Sequence, residues 1–319
     1  MITRTSDAPV AGVQHVQVGP ERAGQRIDNA LSTILKGVPR SLIYRLLRTG
    51  QVRVNGKRAR PDTRLNAGDE LRLPPLRQSA PAVGAVPDAT LIERLRAAVV
   101  HRDKHFLVLD KPCGIASHGG SGISHGAIEL LRAAFPDDSI ELAHRLDRDT
   151  SGVLVLARSR SALLGVQAAI REGRVTKQYL CLMTGTLKRA RFDVNVPLRK
   201  FDLAGGERLV RVADDGKPAL TFFRELERYA DASLVEATLA TGRTHQIRVH
   251  AQHAGHALAG DEKYGAREVN KLWRARGLKR LFLHAARFEF DLDGRGYSFT
   301  APLPDDLRSV VADQPPLPR

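Results

Sequence analysis

The chain has 319 residues, of which 42% are hydrophobic, enough for one large and one small packed domain and too much for a disordered polymer. Fifty Lys and Arg against 35 Asp and Glu leave a formal charge of +15, which points to a polyanionic partner. No apolar stretch approaches the ~20 residues that span a bilayer and no basic-then-apolar leader opens the chain, so nucleic acid is preferred over a membrane as that partner.

Aromatic residues make up only 5%, which argues against base stacking as the main binding mode. The two cysteines, Cys113 and Cys181, form neither a disulfide framework nor a metal-finger spacing, and a reducing cytoplasm fits them.

Residues 1–20, rich in Ala, Val, Gly and Pro, read as a mobile tail. Ile27, Ala30, Leu31, Ile34 and Leu35 then recur at helical spacing until Lys36-Gly37. Pro39-Arg40-Ser41 opens a second helix carrying Leu42, Ile43, Leu46 and Leu47, with Gly50 as its stop. Val52 and Val54 alternate with polar residues into Asn55-Gly56, a strong hairpin-turn signal, and Ala67-Gly68-Asp69 turns the chain into Leu71 and Leu73. This αα-β segment, residues 21–77, resembles the S4-type RNA-binding module. The resemblance implies phosphate contacts from Arg40, Arg45, Arg48, Arg53, Lys57 and Arg58. Any one of these could be an ordinary solvated charge; grouped on so small a module, they favour RNA.

Residues 78–90, rich in Pro, Ala, Gly and Ser, read as a linker, and 91–319 as a single α+β domain. Its strands are expected at Phe106–Leu109, Val153–Leu156, Tyr179–Met183, Leu234–Leu239 and Leu281–Leu283. Leu163, Leu164, Val166, Ala169 and Ile170 make an amphipathic helix, and a shorter helix follows Thr244. Strands and helices do not alternate strictly, so the sheet should be mixed and mostly antiparallel.

The chemistry centres on His144-Arg145-Leu146-Asp147-Arg148-Asp149-Thr150-Ser151-Gly152, which sets Asp147 between two arginines ahead of an apolar run. A carboxylate so placed is favoured in its charged form and is available as a nucleophile at neutral pH. A surface ion-pair loop before a buried strand is the plainer reading of the Arg-Leu-Asp-Arg core alone. The longer string resembles the signature of the RluA family of pseudouridine synthases. Four more segments fit that family: Lys111-Pro112-Cys113-Gly114 with His118 to Gly122, Lys177-Gln178-Tyr179, Thr241 to His250, and Gly260 to Gly265 with Leu283-His284-Ala285.

The resemblance implies that Asp147 is the catalytic carboxylate, that Arg248 pairs with it, and that Tyr179 lies against the uracil. Arg145 would contact the flipped nucleotide or fill the gap that it leaves. It further implies an isomerase acting on 23S (large-subunit) rRNA, working as a monomer in the cytoplasm. The reaction breaks the N1–C1′ bond, rotates the uracil and rejoins it through C5. Nothing is oxidised or added, so no cofactor and no metal is expected. Asp147 would either attack C1′ or take a proton from C2′. Rival readings are the same chemistry on tRNA or another rRNA helix, and a non-catalytic RNA-binding or ribosome-assembly protein. A hydrolase using Asp147 on a small substrate leaves the charge and the S4-like module unexplained. His245, His250 and His253 cluster without an acid or Cys at ligand spacing, which argues against zinc. Gly119 to Gly122 lacks the Gly-Lys-Ser/Thr ending of a nucleotide-binding loop.

Overall fold

The computed structural model describes residues 12–35, 38, 40–75, 88–119, 125–202, 208–315 and 317. The chain divides into two compact units, residues 1–86 and 87–319.

In the first unit, α1 (Ile27–Ile34) buries Ile27, Ala30 and Leu31, and α2 (Arg40–Arg48) presents Ile43, Leu46 and Leu47 to the same core. Apolar residues three and four apart form that stripe, and burial of each contributes roughly 1.5–3 kcal/mol. Gly50, at φ +69°, closes α2. The strands β1 (Gln14–Gln17), β2 (Arg53–Val54), β3 (Lys57–Arg58) and β4 (Glu70–Leu73) form an antiparallel sheet in the order β1-β4-β2-β3. The β2–β3 turn takes left-handed backbone at both central residues, Asn55 (φ 49°) and Gly56 (φ 76°), the pair that such a hairpin favours.

Strand β1 corrects the expected tail boundary. Val16 packs against the core and Val18 is buried, a period-two pattern within the expected tail at 1–20. Residues 1–11 of that tail, the helix break at Lys36-Gly37 and Pro39 lie outside the described residues.

The second unit opens with α3 (Ala89–Ala97), whose first turn is capped where the Asp88 carboxylate accepts from the Thr90 N–H at 2.9 Å. The expected linker, residues 78–90, therefore overlaps this helix; its residues 78–87 are outside the described set. There follow β5 (Val99–Arg102), β6 (Phe106–Lys111), α4 (Ala127–Ala134), β7 (Glu141–Leu142), β8 (Ser151–Ala157), α5 (Arg160–Arg171) and β9 (Val175–Thr184). Next come β10 (Arg191–Asn195), β11 (Leu198–Asp202), β12 (Arg208–Val212), β13 (Leu220–Arg228), β14 (Ala232–Leu239) and α6 (Gln246–His253). The chain ends through α7 (Arg267–Ala275), β15 (Leu283–Leu292), β16 (Arg295–Thr300) and α8 (Asp305–Ala312). The strand expected at Leu281–Leu283 thus only begins at its last residue and runs on to Leu292.

The main sheet runs β10-β13-β14-β9-β15-β8-β6-β5, with β16 on β15 and β7 on β8, while β11 and β12 pair separately. Among the described strands only β8 and β15 pair in parallel, at Ser151 with His284 and Gly152 with Ala285. The fold is α+β with a mixed, mostly antiparallel sheet, as the sequence predicted. Successive residues of β8 enter two cores: Leu154 and Leu156 join Leu95, Leu131 and Ile247 on one face, and Val153 and Val155 join Leu163, Val166 and Phe299 on the other. Both faces are covered, which explains an unbroken apolar run instead of alternation.

Candidate active site

Residues 143–150 connect β7 to β8 and carry Asp147. Two segments hold this loop in place. Ser117 Oγ donates to the Leu146 carbonyl at 2.7 Å and accepts the Leu146 N–H at 2.9 Å. The fully buried Lys111 donates from Nζ to the carbonyls of Pro112, Ile115 and Arg148 at 3.0, 2.7 and 3.2 Å. Burial holds the Lys111 pKa down to about 8, and the three carbonyls take all three of its donors. At the far end, Gly152 takes φ +105°, and a Cβ there would lie 2.2 Å from the Ala285 carbonyl oxygen. Only glycine lets the parallel strands approach so closely.

The two arginines beside Asp147 in sequence do not meet it. Arg145 turns to His118 (Nη1 to Nε2, 3.3 Å), and Arg148 pairs with Asp149 at 3.1 Å. Facing Asp147 instead are His245 Nε2 at 3.7 Å and Arg248 Nη1 at 4.0 Å, both from the stretch that opens α6. Neighbours in a turning loop point apart, so sequence adjacency is a poor guide to charge pairing. Arg248 makes its bidentate pair elsewhere: Nε and Nη2 donate to Asp261 at 2.8 and 2.7 Å, and both residues are buried. Asp261 also accepts the N–H groups of Lys263 and Tyr264, each at 3.0 Å. Burial works against the Arg248 cation, but the bonds and charge of Asp261, with the charge of Asp147, carry its pKa above the usual arginine value.

His245 stands at the N-terminus of α6 with left-handed backbone, φ 55°. The Tyr264 hydroxyl accepts from the Val210 N–H at 3.1 Å and lies 2.7 Å from His245 Nδ1. A tyrosine hydroxyl that donates to Nδ1 leaves the proton of a neutral His245 on Nε2, the nitrogen that faces Asp147. Burial pushes the His245 pKa down against the pull of Asp147, which favours that neutral ring. Tyr179, on the inward face of β9, lines the same small recess as Asp147 and Arg248. Burial and the charge of Asp147 both push its phenol up, so it stays protonated.

Asp147 and Tyr179 also line a cleft of about 1210 Å³ with Arg145, Arg171, Lys177, Lys200 and Arg243, in which Asp147 is the only acid among the described residues. A single carboxylate in a basic cleft suits a polyanionic substrate. His250 is engaged with Thr221 Oγ1 and the Val196 carbonyl, and His245 with Tyr264. Among the described residues no group of three His, Cys, Asp or Glu side chains could hold a metal ion. In the first unit, Arg45, Arg48 and Arg58 line a groove of about 550 Å³ together with Arg60 and Tyr44. Arg53 and Lys57 are exposed on β2 and β3 outside that groove, and the side chain of Arg40 lies outside the described residues. Sequence reasoning missed Asp261, His245, Tyr264 and Arg60 as parts of these sites. The Gly260-Asp261 turn was the available signal for the first.

The sequence pattern of the RNA pseudouridylate synthase family matches residues 105–253, and that of the S4 domain matches residues 25–71. The ribosomal large subunit pseudouridine synthase C of Escherichia coli (strain K12) is 50% identical over 305 residues, covering 94% of this chain and 96% of its own. The protein of the same name from Pasteurella multocida (strain Pm70) is 46% identical over 303 residues, covering 94% and 93%. Among solved structures, human RNA pseudouridylate synthase domain containing 1 superposes with a TM-score of 0.58 at 29% identity, over 69% of this chain and 88% of its own. No described helix is long and apolar enough to cross a membrane.

Proposed function

Because the chain belongs to the RNA pseudouridylate synthase family, we propose that it isomerises specific uridines of 23S (large-subunit) rRNA to pseudouridine, with Asp147 as the catalytic carboxylate. The observation that carries the role of Asp147 is its position as the only acid lining the basic cleft among the described residues, faced by Arg248 and His245 and sharing a recess with Tyr179. The rRNA substrate rests on the relatives named above.

The target uridine is flipped out of its stack into the cleft, since its C1′ is out of reach inside a helix. Asp147 then serves the cleavage of N1–C1′ by attacking C1′ or by taking the C2′ proton. Arg248, anchored on Asp261, holds that carboxylate aimed. The uracil turns so that C5 faces C1′, the C5–C1′ bond forms, the proton on C5 leaves, and N1 gains one. The phenol of Tyr179 is held neutral, so it passes a proton on only as it receives another, which suits a shuttle at C5. Arg145, exposed at the rim, contacts the flipped nucleotide or fills its place in the stack.

Arg45, Arg48 and Arg58, with Arg53, Lys57 and Arg40, dock the S4 unit on RNA phosphates. The protein works as a monomer in the cytoplasm and needs no cofactor.

The test is a pseudouridine map of large-subunit rRNA from cells with and without the protein. Defined sites should vanish without it and return with the wild type but not with Asp147→Asn. An unchanged map with full-length protein absent would overturn the rRNA assignment.

A further inference from the structure

Lys177 has a place in the cleft that the chemistry above does not use. It sits two residues before Tyr179 on β9, so both side chains leave the same face of the sheet about 7 Å apart. The residue is 9% exposed and lines the cleft, yet among the described residues no acid and no hydrogen-bond acceptor engages its ammonium. Its Nζ ends beside Gly242, 3.5 Å from where a side chain at 242 would begin. The nearby His144 ring offers no charge: desolvation, and then Lys177 itself, hold it down to about 3, and its Nε2 already accepts the Val155 N–H.

The contrast with Lys111 on the first motif is direct. That lysine is also buried but spends its three donors on three carbonyls of the catalytic loop and its neighbouring turn. A mostly buried lysine whose ammonium has no protein partner among the described residues is costly, and burial depresses the Lys177 pKa. Such a cation is kept for an anion that arrives from outside.

We propose that Lys177 is a phosphate-binding residue of the cleft, taking a non-bridging oxygen of the phosphodiester that flanks the target uridine. The reading rests on the proposed RNA substrate. With the uracil against Tyr179 and C1′ at Asp147, one step along β9 is the scale that separates a base from its own phosphate. Arg171 and Arg243 line the same cleft and are exposed, so the strand enters through a positive wall, while Lys177 is mostly buried. A uracil carbonyl is the other acceptor within the cleft's chemistry, but a neutral oxygen leaves the buried charge uncompensated, whereas a phosphodiester neutralises it.

The experiment uses the full chain and a short RNA substrate carrying one uncharged methylphosphonate, placed in turn on the 5′ and the 3′ side of the target uridine. In the wild type, one of the two positions should weaken binding by about tenfold, the worth of one charge-assisted hydrogen bond. Lys177→Met should lose a similar factor on unmodified RNA and lose nothing more at that same position. Its salt dependence should be flatter by the share of about one phosphate, 0.7–0.9 logarithmic units per decade of salt. Lys177→Arg should recover most of the affinity and the sensitivity to the modified linkage, and Lys177→Gln serves if the methionine variant does not fold. Equal methylphosphonate losses in wild type and variant would overturn the proposal. So would a variant that binds normally but turns over slowly at saturating RNA, which places Lys177 on the uracil. If wild-type protein forms no pseudouridine in any rRNA fragment, the substrate assignment fails instead, and the two failures are distinct.

Discussion

Asp147 is 30% exposed at the floor of a basic cleft, and its charge is balanced from across the site by Arg248 and not by its sequence neighbours. Asp147→Asn keeps the shape and removes the charge, and with it the capacity proposed for Asp147 to attack C1′ or take the C2′ proton. Turnover should fall by more than about a thousandfold while RNA affinity is retained. Single-turnover assays beside filter binding would show this, and activity within tenfold of wild type would remove Asp147 from the chemistry. Asp261 is the support behind it. Replacing it by Asn leaves Arg248 buried with one distant carboxylate, a change that costs about 3–5 kcal/mol when a buried pair is broken. Asp261→Asn should therefore lower both the denaturation midpoint and the turnover at saturating RNA. Loss of stability with unaltered turnover would mean that the Arg248 fork does not position Asp147.

At the scale of elements, the parallel junction of β8 and β15 marks where the loop that carries Asp147 ends. Gly152→Ala would put a methyl 2.2 Å from the Ala285 carbonyl oxygen at a φ that L side chains rarely adopt. It should cost roughly 2–4 kcal/mol, read as a lowered urea midpoint. The same junction carries a pH signature. His284 is fully buried, its Nε2–H donates to the Ala301 carbonyl at 3.1 Å, and its Nδ1 accepts from Ser151 Oγ at 2.9 Å. Burial holds its pKa down to about 4 from the ordinary 6.5. Between those values the unfolded chain binds the proton and the folded one does not. The stability that this neutral ring represents is complete above pH 6.5 and falls by up to about 3 kcal/mol as the pH drops to 4. His144, held down to about 3, adds to the same slope. Thermal melts from pH 7 to pH 4.5 should thus fall more gently in His284→Gln than in wild type; identical slopes would mean that His284 is protonated without cost in the fold.

The whole molecule has two units with separate cores, and the proposed function gives docking to one and chemistry to the other. The S4 unit gathers Arg45, Arg48, Arg58 and Arg60 on one groove, while Asp147 lies in the other unit. Removing residues 1–86 should weaken RNA binding, and the salt dependence should flatten by about 0.7–0.9 logarithmic units per decade for each phosphate that the S4 unit neutralises. Turnover at saturating RNA should survive better than turnover at limiting RNA. A truncated protein with unchanged affinity and salt slope would show that the S4 unit binds something other than the substrate.

Local rules carried the sequence reading a long way. Asn55-Gly56 names its turn because few residues tolerate left-handed backbone at both positions, and Val153 to Leu156 names a strand buried on two faces. The string around Asp147 named the family, because a motif is a local object. Val16 and Val18 carried an equally local signal that the tail reading passed over. What the sequence could not supply was pairing at a distance. That Arg248 forks onto Asp261, that Lys111 clasps the carbonyl of Arg148, and that Gly152 meets Ala285 each depend on chain segments brought together by the sheet order. Charge attracts through space and not along the chain, so Arg145 and Arg148 turn elsewhere; Arg248 facing Asp147 followed from the family resemblance, and only the tertiary structure added His245 at 3.7 Å.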